Sequence, residues 1–242
     1  MGTIAVAIVC KTPTPGFSKT RLSPPLRPDE CAQVSACFIE DLSRTIGELG
    51  QAPDATACAL YTPIGSEDLL KPLLPDNFVL VPQREGDFGA RLLAGTKDIL
   101  ALGYDGVILV NSDSPTIPKS LLRQAVDSVK RGDRVTLSRA FDGGYTLIGL
   151  SRPHEHIFYD IPWSTEQVYS VTKMRAVEMG LAVEDVPGWY DVDDAESYKM
   201  LEDELSGKRM PFMTEVVGEL APSTREFVER RRVKMQIAIN AS

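Results

Sequence analysis

The side chains of this 242-residue chain that could do chemistry begin with three groups of carboxylates. Asp113 closes the run Val107-Ile108-Leu109-Val110-Asn111-Ser112-Asp113-Ser114-Pro115, in which four apolar residues read as a buried strand and Pro115 stops it. Ligands of an open α/β sheet bind in the crevice at the carboxyl ends of its strands. An aspartate there suits a hard divalent ion held against a diphosphate; the simpler reading is a turn aspartate before a proline. One aspartate rarely suffices, and Asp191-Val192-Asp193-Asp194 is the best source of a partner. In extended chain Asp191 and Asp193 point to one side, while Asp193 or Asp194 equally suits a helix N-cap. The third group is Asp142-Gly143-Gly144-Tyr145, between two expected strands. Asp-Gly there is first a hairpin signal; its chemical reading puts Asp142 beside the transferred group or its acceptor, as hydrogen-bond acceptor or general base.

Cations stand in the loop Lys11-Thr12-Pro13-Thr14-Pro15-Gly16-Phe17-Ser18-Lys19-Thr20-Arg21-Leu22, after the first expected strand. Lys19 offers a point charge, Arg21 a planar fork for two phosphate oxygens, and Gly16 a close backbone approach. The spacing is not that of a P-loop, and a solvated loop with incidental charge is the competing reading. In Gln83-Arg84-Glu85-Gly86-Asp87-Phe88-Gly89-Ala90-Arg91, Gln83 could read a base edge, and Asp87 could cap a helix or accept from a base or ribose. Ser164 and Gln167 fit a capping box, and Trp163 either lines a pocket or packs.

These residues need a frame of strands and helices. Strands are expected at 4–10, 55–61, 78–81, 107–110, 134–138, 145–150 and 181–186. Helices are expected from Pro28, with Val34, Phe38, Leu42, Ile46 and Leu49 inward, and at 88–102, 118–130, 164–179 and 195–205. The alternation implies a mostly parallel, doubly wound sheet. A helical extension over 215–239, broken by Pro222 and carrying Arg230-Arg231-Arg232, reads as a packing or solvated helix, or as a means of self-association or of covering the site.

The net charge of −8 argues against general nucleic-acid or membrane-surface binding. No stretch reaches the roughly 18 apolar residues of a membrane span, and Met1-Gly2-Thr3-Ile4 lacks the basic start of a signal peptide. Cys10, Cys31, Cys37 and Cys58 form no C-x-x-C pair, and with two histidines a structural zinc site is not expected. Reduced cysteines in a cytoplasmic protein are expected.

In order, K-x-P-x-P-G-x-x-K-T-R-L, Q-x-x-G-D-F-G-x-R, D-S-P, D-G-G-Y, W-S-T and D-V-D resemble a bacterial family related to the nucleotide-diphospho-sugar transferases, long of unknown function, with some members linked to arsenosugar-type glycosyl transfer. The resemblance covers about residues 4–205. It implies an α/β fold of the GT-A type: three α/β/α layers around a mostly parallel mixed sheet, with one domain at 1–206 and an extension at 207–242. Matched to the family's motifs, Lys11, Pro15, Gly16, Lys19, Thr20 and Arg21 form the phosphate loop, and Gln83, Gly86, Asp87 and Arg91 face the nucleotide. Gly143, Gly144, Tyr145, Trp163 and Ser164 line the substrate site. The resemblance implies Asp113 and Asp193 as metal ligands, with Asp191 the alternative for the second. Asn111 stands where the family usually has glycine, and Asp194 where threonine is common.

The reaction these readings lead to is glycosyl transfer from a nucleotide-diphospho-sugar, dependent on Mg²⁺ or Mn²⁺, with Asp113, Asp142, Lys19 and Arg21 as catalytic groups. The alternatives are a nucleotidyltransferase, guanylyltransferase-like, that releases pyrophosphate, and a nucleotide-binding protein without catalysis.

Overall fold

A computed structural model describes residues 2–208, 210 and 216–240. Its strands are β1 (Ile4–Lys11), β2 (Ala55–Thr62), β3 (Val79–Pro82), β4 (Gly106–Asn111), β5 (Arg134–Arg139), β6 (Tyr145–Leu150) and β7 (Ala182–Val186). Its helices are α1 (Pro28–Leu49), the single turn α2 (Glu67–Leu70), α3 (Phe88–Ala101), α4 (Lys119–Lys130), α5 (Val168–Glu178), α6 (Ala195–Leu205) and α7 (Pro222–Asn240).

The strands form one sheet in the order β3-β2-β1-β4-β6-β5-β7. β1 pairs in parallel with β2 and β4, β2 with β3, and β5 with β7. β6 runs antiparallel between β4 and β5. That single reversal places the start of β6 at the edge where β1, β4 and β5 end, so the loop entering Tyr145 reaches the ligand-binding crevice.

β1 and β4 are buried along nearly their whole length, and both faces of the sheet are covered. Such strands read as continuous apolar runs rather than alternating ones. One core joins α1, α4, α6 and α7 to the sheet, and the other joins α3 and α5 to its opposite face. The α1 stripe is buried as expected: Val34, Phe38, Leu42 and Ile46 are fully enclosed. Each contributes about 1.5–3 kcal/mol relative to exposure.

Two local expectations need correction. α5 begins at Val168, not at residue 164, and its first turn carries no side-chain cap from Ser164. Ser164 adopts a positive φ of 63°, and Thr165 builds a turn instead, donating from Oγ1 to Pro162 O and accepting from Gln167 N. At the far end, Pro222 opens a helix rather than breaking one, in keeping with proline at a first helical position; Glu215, where the expected extension starts, lies outside the described residues. The buried Asp41 of α1 accepts from Ser223 N at 3.0 Å and Thr224 N at 2.7 Å, and so caps α7. Arg231 of α7 donates to Pro25 O.

Candidate active site

Lys19 joins the carboxylate segments. It adopts the left-handed conformation, φ 50° and ψ 39°, which costs a non-glycine residue about 1 kcal/mol. Its ammonium lies 2.7 Å from Asp113 Oδ1 and 2.9 Å from Asp193 Oδ1, and donates to Val192 O at 2.8 Å. Arg21 reaches Asp193 Oδ2 at 2.6 Å. Burial by itself lowers the Lys19 pKa, but the charges of Asp113 and Asp193 outweigh it and hold it above the ordinary lysine value. One ammonium thus serves two carboxylates. Burial opposes ionisation of Asp193, yet Lys19 and Arg21 together keep its pKa below the usual aspartate value. Asp113 has no second cation among the described residues, and burial, joined by the Asp193 charge and not offset by Lys19, lifts it above that value.

The segment after β7 is positioned by several anchors. Ser138 donates to Pro187 O, Trp189 N to Arg139 O, and Val192 N to Asp113 O at 2.8 Å. Tyr190 OH bonds Glu204, whose carboxylate also accepts from Thr116 at 2.9 Å. Asp194 then caps α6, accepting from Ser197 N at 2.8 Å, while the Ser197 hydroxyl accepts from Asp193 N and Asp194 N. Of the two cap candidates, Asp194 takes the role and leaves the Asp193 carboxylate to the cations.

Asp142 arrives from the opposite wall. Its Oδ1 accepts from Gly144 N at 2.8 Å. Gly143 has φ 92°, and a Cβ there would run into the Glu166 backbone. Tyr169 N donates to Gly143 O at 2.9 Å, which binds the loop to the start of α5. One carboxylate oxygen each from Asp142, Asp191 and Asp193 lie within 4.8 Å of one another. Burial, followed by the charges of Asp142, Asp193 and Asp113, pushes the Asp191 carboxyl up to about 7. Crowded hard oxygen donors of this kind fit Mg²⁺ or Mn²⁺, since a cation relieves the repulsion that raises Asp191.

Two cavities meet at this cluster. One, of about 270 Å³, is lined by Lys11, Ser18, Lys19, Thr20, Arg21 and Ser35. The other, of about 260 Å³, takes in Asp142, Gly144, Tyr145, Trp163, Ser164 and Asp191. Ser112, Asp113 and Asp193 line both.

Other expected site residues lie further out or do structural work. Pro15 and Gly16 line neither cavity; Gly16, at φ 78°, turns the loop so that Phe17 N and Ser18 N reach Thr14 O. Gln83 is buried and donates its amide nitrogen to Leu60 O at 2.9 Å and Cys10 O at 3.4 Å, bracing β1 and β2 rather than presenting that donor to a base. Asp87 caps α3 through Ala90 N at 2.8 Å, just after Gly86. Arg91 stacks its guanidinium 5.7 Å from the Phe88 ring centre. Trp163 packs edge-on against Phe88 at 4.8 Å, and Gly89 lets α3 approach it where a Cβ would meet Trp163 Nε1. Phe88 and Ser35 line the cavities without having been singled out from the sequence. Phe88 could have been found as the apolar residue directly after a cap aspartate, whereas no local pattern marks Ser35.

No curated protein sequence matches the chain. Among solved structures, a candidate nucleotide-diphospho-sugar transferase from Desulfovibrio desulfuricans G20 superposes with a TM-score of 0.77 at 26% identity, covering 95% of this chain and 98% of the other. CMP:2-keto-3-deoxy-manno-octonic acid synthetase, complexed with CTP, has a TM-score of 0.54 at 11% identity over 86% of this chain and 100% of its own. A cytidylyltransferase from Leptospira borgpetersenii serovar Hardjo-bovis (strain JB197) has 0.51 at 12% identity, over 96% of each. The last two share the fold alone. The architecture is thus the nucleotide-diphospho-sugar transferase fold. The profile of a family described as an uncharacterized protein conserved in bacteria, DUF2064, matches residues 45–165, half of the chain, and the chain belongs to that family.

Proposed function

We propose that the protein transfers a sugar from a nucleotide-diphospho-sugar to an acceptor hydroxyl, in a divalent-metal-dependent reaction. The observation that carries this reading is the convergence of four aspartates, from the ends of β4, β5 and β7, on a basic loop at the carboxyl edge of the sheet. The D. desulfuricans likeness supports the same donor class. Asp191 and Asp193 would hold Mg²⁺ or Mn²⁺, with Asp142 or Asp113 as the third carboxylate. The ion supplies Lewis-acid stabilisation of the leaving diphosphate.

The chain's own residues do the rest. Arg21 donates hydrogen bonds to phosphate oxygens, and Lys19, whose three N–H bonds go to Asp113, Asp193 and Val192 O, adds positive charge beside them; together they stabilise the negative charge that grows there. The acceptor oxygen bonds to the anomeric carbon as the bond to the β-phosphate oxygen breaks, and its electron pair leaves on the nucleoside diphosphate. Asp142, exposed on its loop, takes the acceptor proton when Asp113 completes the metal set. Asp113→Ala tests this: donor turnover is expected to fall by about 10²–10³-fold, and Mn²⁺-dependent donor binding to fall with it. Unchanged turnover would falsify the proposal.

A nucleotidyl-transfer reading is favoured by one observation: Lys11, Lys19 and Arg21 line a single cavity, a set of cations suited to a triphosphate. The products separate the two, nucleoside diphosphate for the first and pyrophosphate for the second.

A further inference from the structure

The cavity bounded by Asp142 and Asp191 has an apolar interior, with Val9, Leu92, Leu109 and Ile148 beneath and the Phe88–Trp163 pair at its side. Neither a phosphate nor a metal has use for such a surface. Tyr145 lines the same cavity, and its hydroxyl is buried with no hydrogen-bond partner among the described residues. An orphaned buried hydroxyl costs about 1–3 kcal/mol, and in a binding cavity a ligand atom is the natural partner.

Backbone geometry puts Tyr145 in this place. Along β6, Leu147 faces the core built on α1 and α4, while Ile148 and Leu150 face the core built on α3 and α5. Strict alternation would put Tyr145 on the Leu147 side. The pairing instead steps from Ser138–Leu147 to Arg139–Tyr145, a register shift in the ladder. It brings Tyr145 onto the face of Ile148, into the cavity. Bulges beside active sites re-aim side chains in this way. Burial holds the phenol above its ordinary pKa, so it stays a neutral donor.

We propose that this cavity is the acceptor subsite, and that it takes a hydroxyl-bearing acceptor with a compact apolar body, oriented by a hydrogen bond from Tyr145. The volume fits. A dry apolar cavity of about 150 Å³ accommodates benzene, so about 260 Å³ holds one six-membered apolar ring with a polar arm. The polar arm then lies toward Asp142 and Asp191, where the acceptor oxygen must react. The proposal rests on the transferase reading and names its acceptor class.

Binding of benzyl alcohol, toluene and glycerol to the full chain, by ligand-observed NMR, tests it apart from turnover. Benzyl alcohol is expected to bind more tightly than toluene, and glycerol not to compete. Tyr145→Phe should weaken benzyl alcohol about fivefold and leave toluene unchanged, a pattern that general loosening would not produce. Trp163→Ala should weaken both aromatic probes and serves if the first variant folds poorly. Failure of both aromatic probes to bind, or their displacement by a nucleoside monophosphate, overturns the proposal; displacement would assign the cavity to the base of the donor. Nucleotide-sugar binding measured on the same protein separates the two ideas: donor binding without probe binding removes the acceptor assignment alone.

Discussion

The two cavities share a wall and treat charge in opposite ways. On the basic side each carboxylate has a cation from the chain: Lys19 lies between Asp113 and Asp193, and Arg21 lies on Asp193. On the other side Asp142 and Asp191 crowd together, with no ion pair to a lysine or arginine among the described residues. Breaking a buried ion pair is expensive because it strands a charge. Asp191 is already in that position, with its carboxyl raised to about 7. The chain therefore supplies its own positive charge where phosphates would lie and leaves it to be supplied from outside where the acceptor would lie.

Removing Lys19 attacks that contrast most directly. Lys19→Met should reduce donor turnover by about 10²–10³-fold and destabilise the protein by about 3 kcal/mol, read by denaturant unfolding. Mn²⁺ should bind this variant more tightly than the native chain, because Asp113 and Asp193 lose their competitor. Equal Mn²⁺ affinity would show that the ammonium and the ion do not share these oxygens. Next in size, Asp142→Asn should weaken Mn²⁺ binding by at least about tenfold if Asp142 is a ligand. An unchanged affinity, with a lower kcat, would assign it to the acceptor side.

Asp191→Asn should have a smaller effect, of the opposite sign on stability. The folded carboxyl titrates at about 7, against 3.8 for an unperturbed aspartate. Its contribution to stability is therefore fully present below about pH 4 and is lost as pH rises through about 7. In metal-free buffer the variant should melt higher than the native chain at about pH 8, by about 1–2 kcal/mol, with the gap closing toward pH 4. A constant gap would remove Asp191 as its source. The smallest change is expected from Arg21→Ala. Its side chain is 68% exposed, so stability should move by less than about 1 kcal/mol, while the KM for donor rises a few-fold.

Much of the frame was legible because its signals are local. The apolar run into Asp113, the inward stripe of α1 and the alternation of strands and helices each lie within one short stretch, and all reappear in the structure. The start of α5 was not, because its first turn is set by a distant loop: Gly143 lies against the Glu166 backbone and its carbonyl accepts from Tyr169 N. Gln83 looked like a base reader because an amide in a polar loop gives no sign that it will turn inward to the carbonyls of β1 and β2. The site followed the same division. Asp113 and the 191–194 acids could be named from their place after strands. That Lys19 would take up the Asp113 carboxylate, and that Asp142 would join Asp191 and Asp193, depends on four chain segments meeting.

Because β6 runs against its neighbours, the turn carrying Asp142 and leading into Tyr145 is a short excursion separate from the Lys19 loop. Mutation beside Asp142 would lengthen, shorten or repaint that turn without touching Lys19 or Arg21. Under the proposed function, a lineage built on this scaffold would change its acceptor by altering that turn, in a stretch of the gene separate from the one that encodes the basic loop.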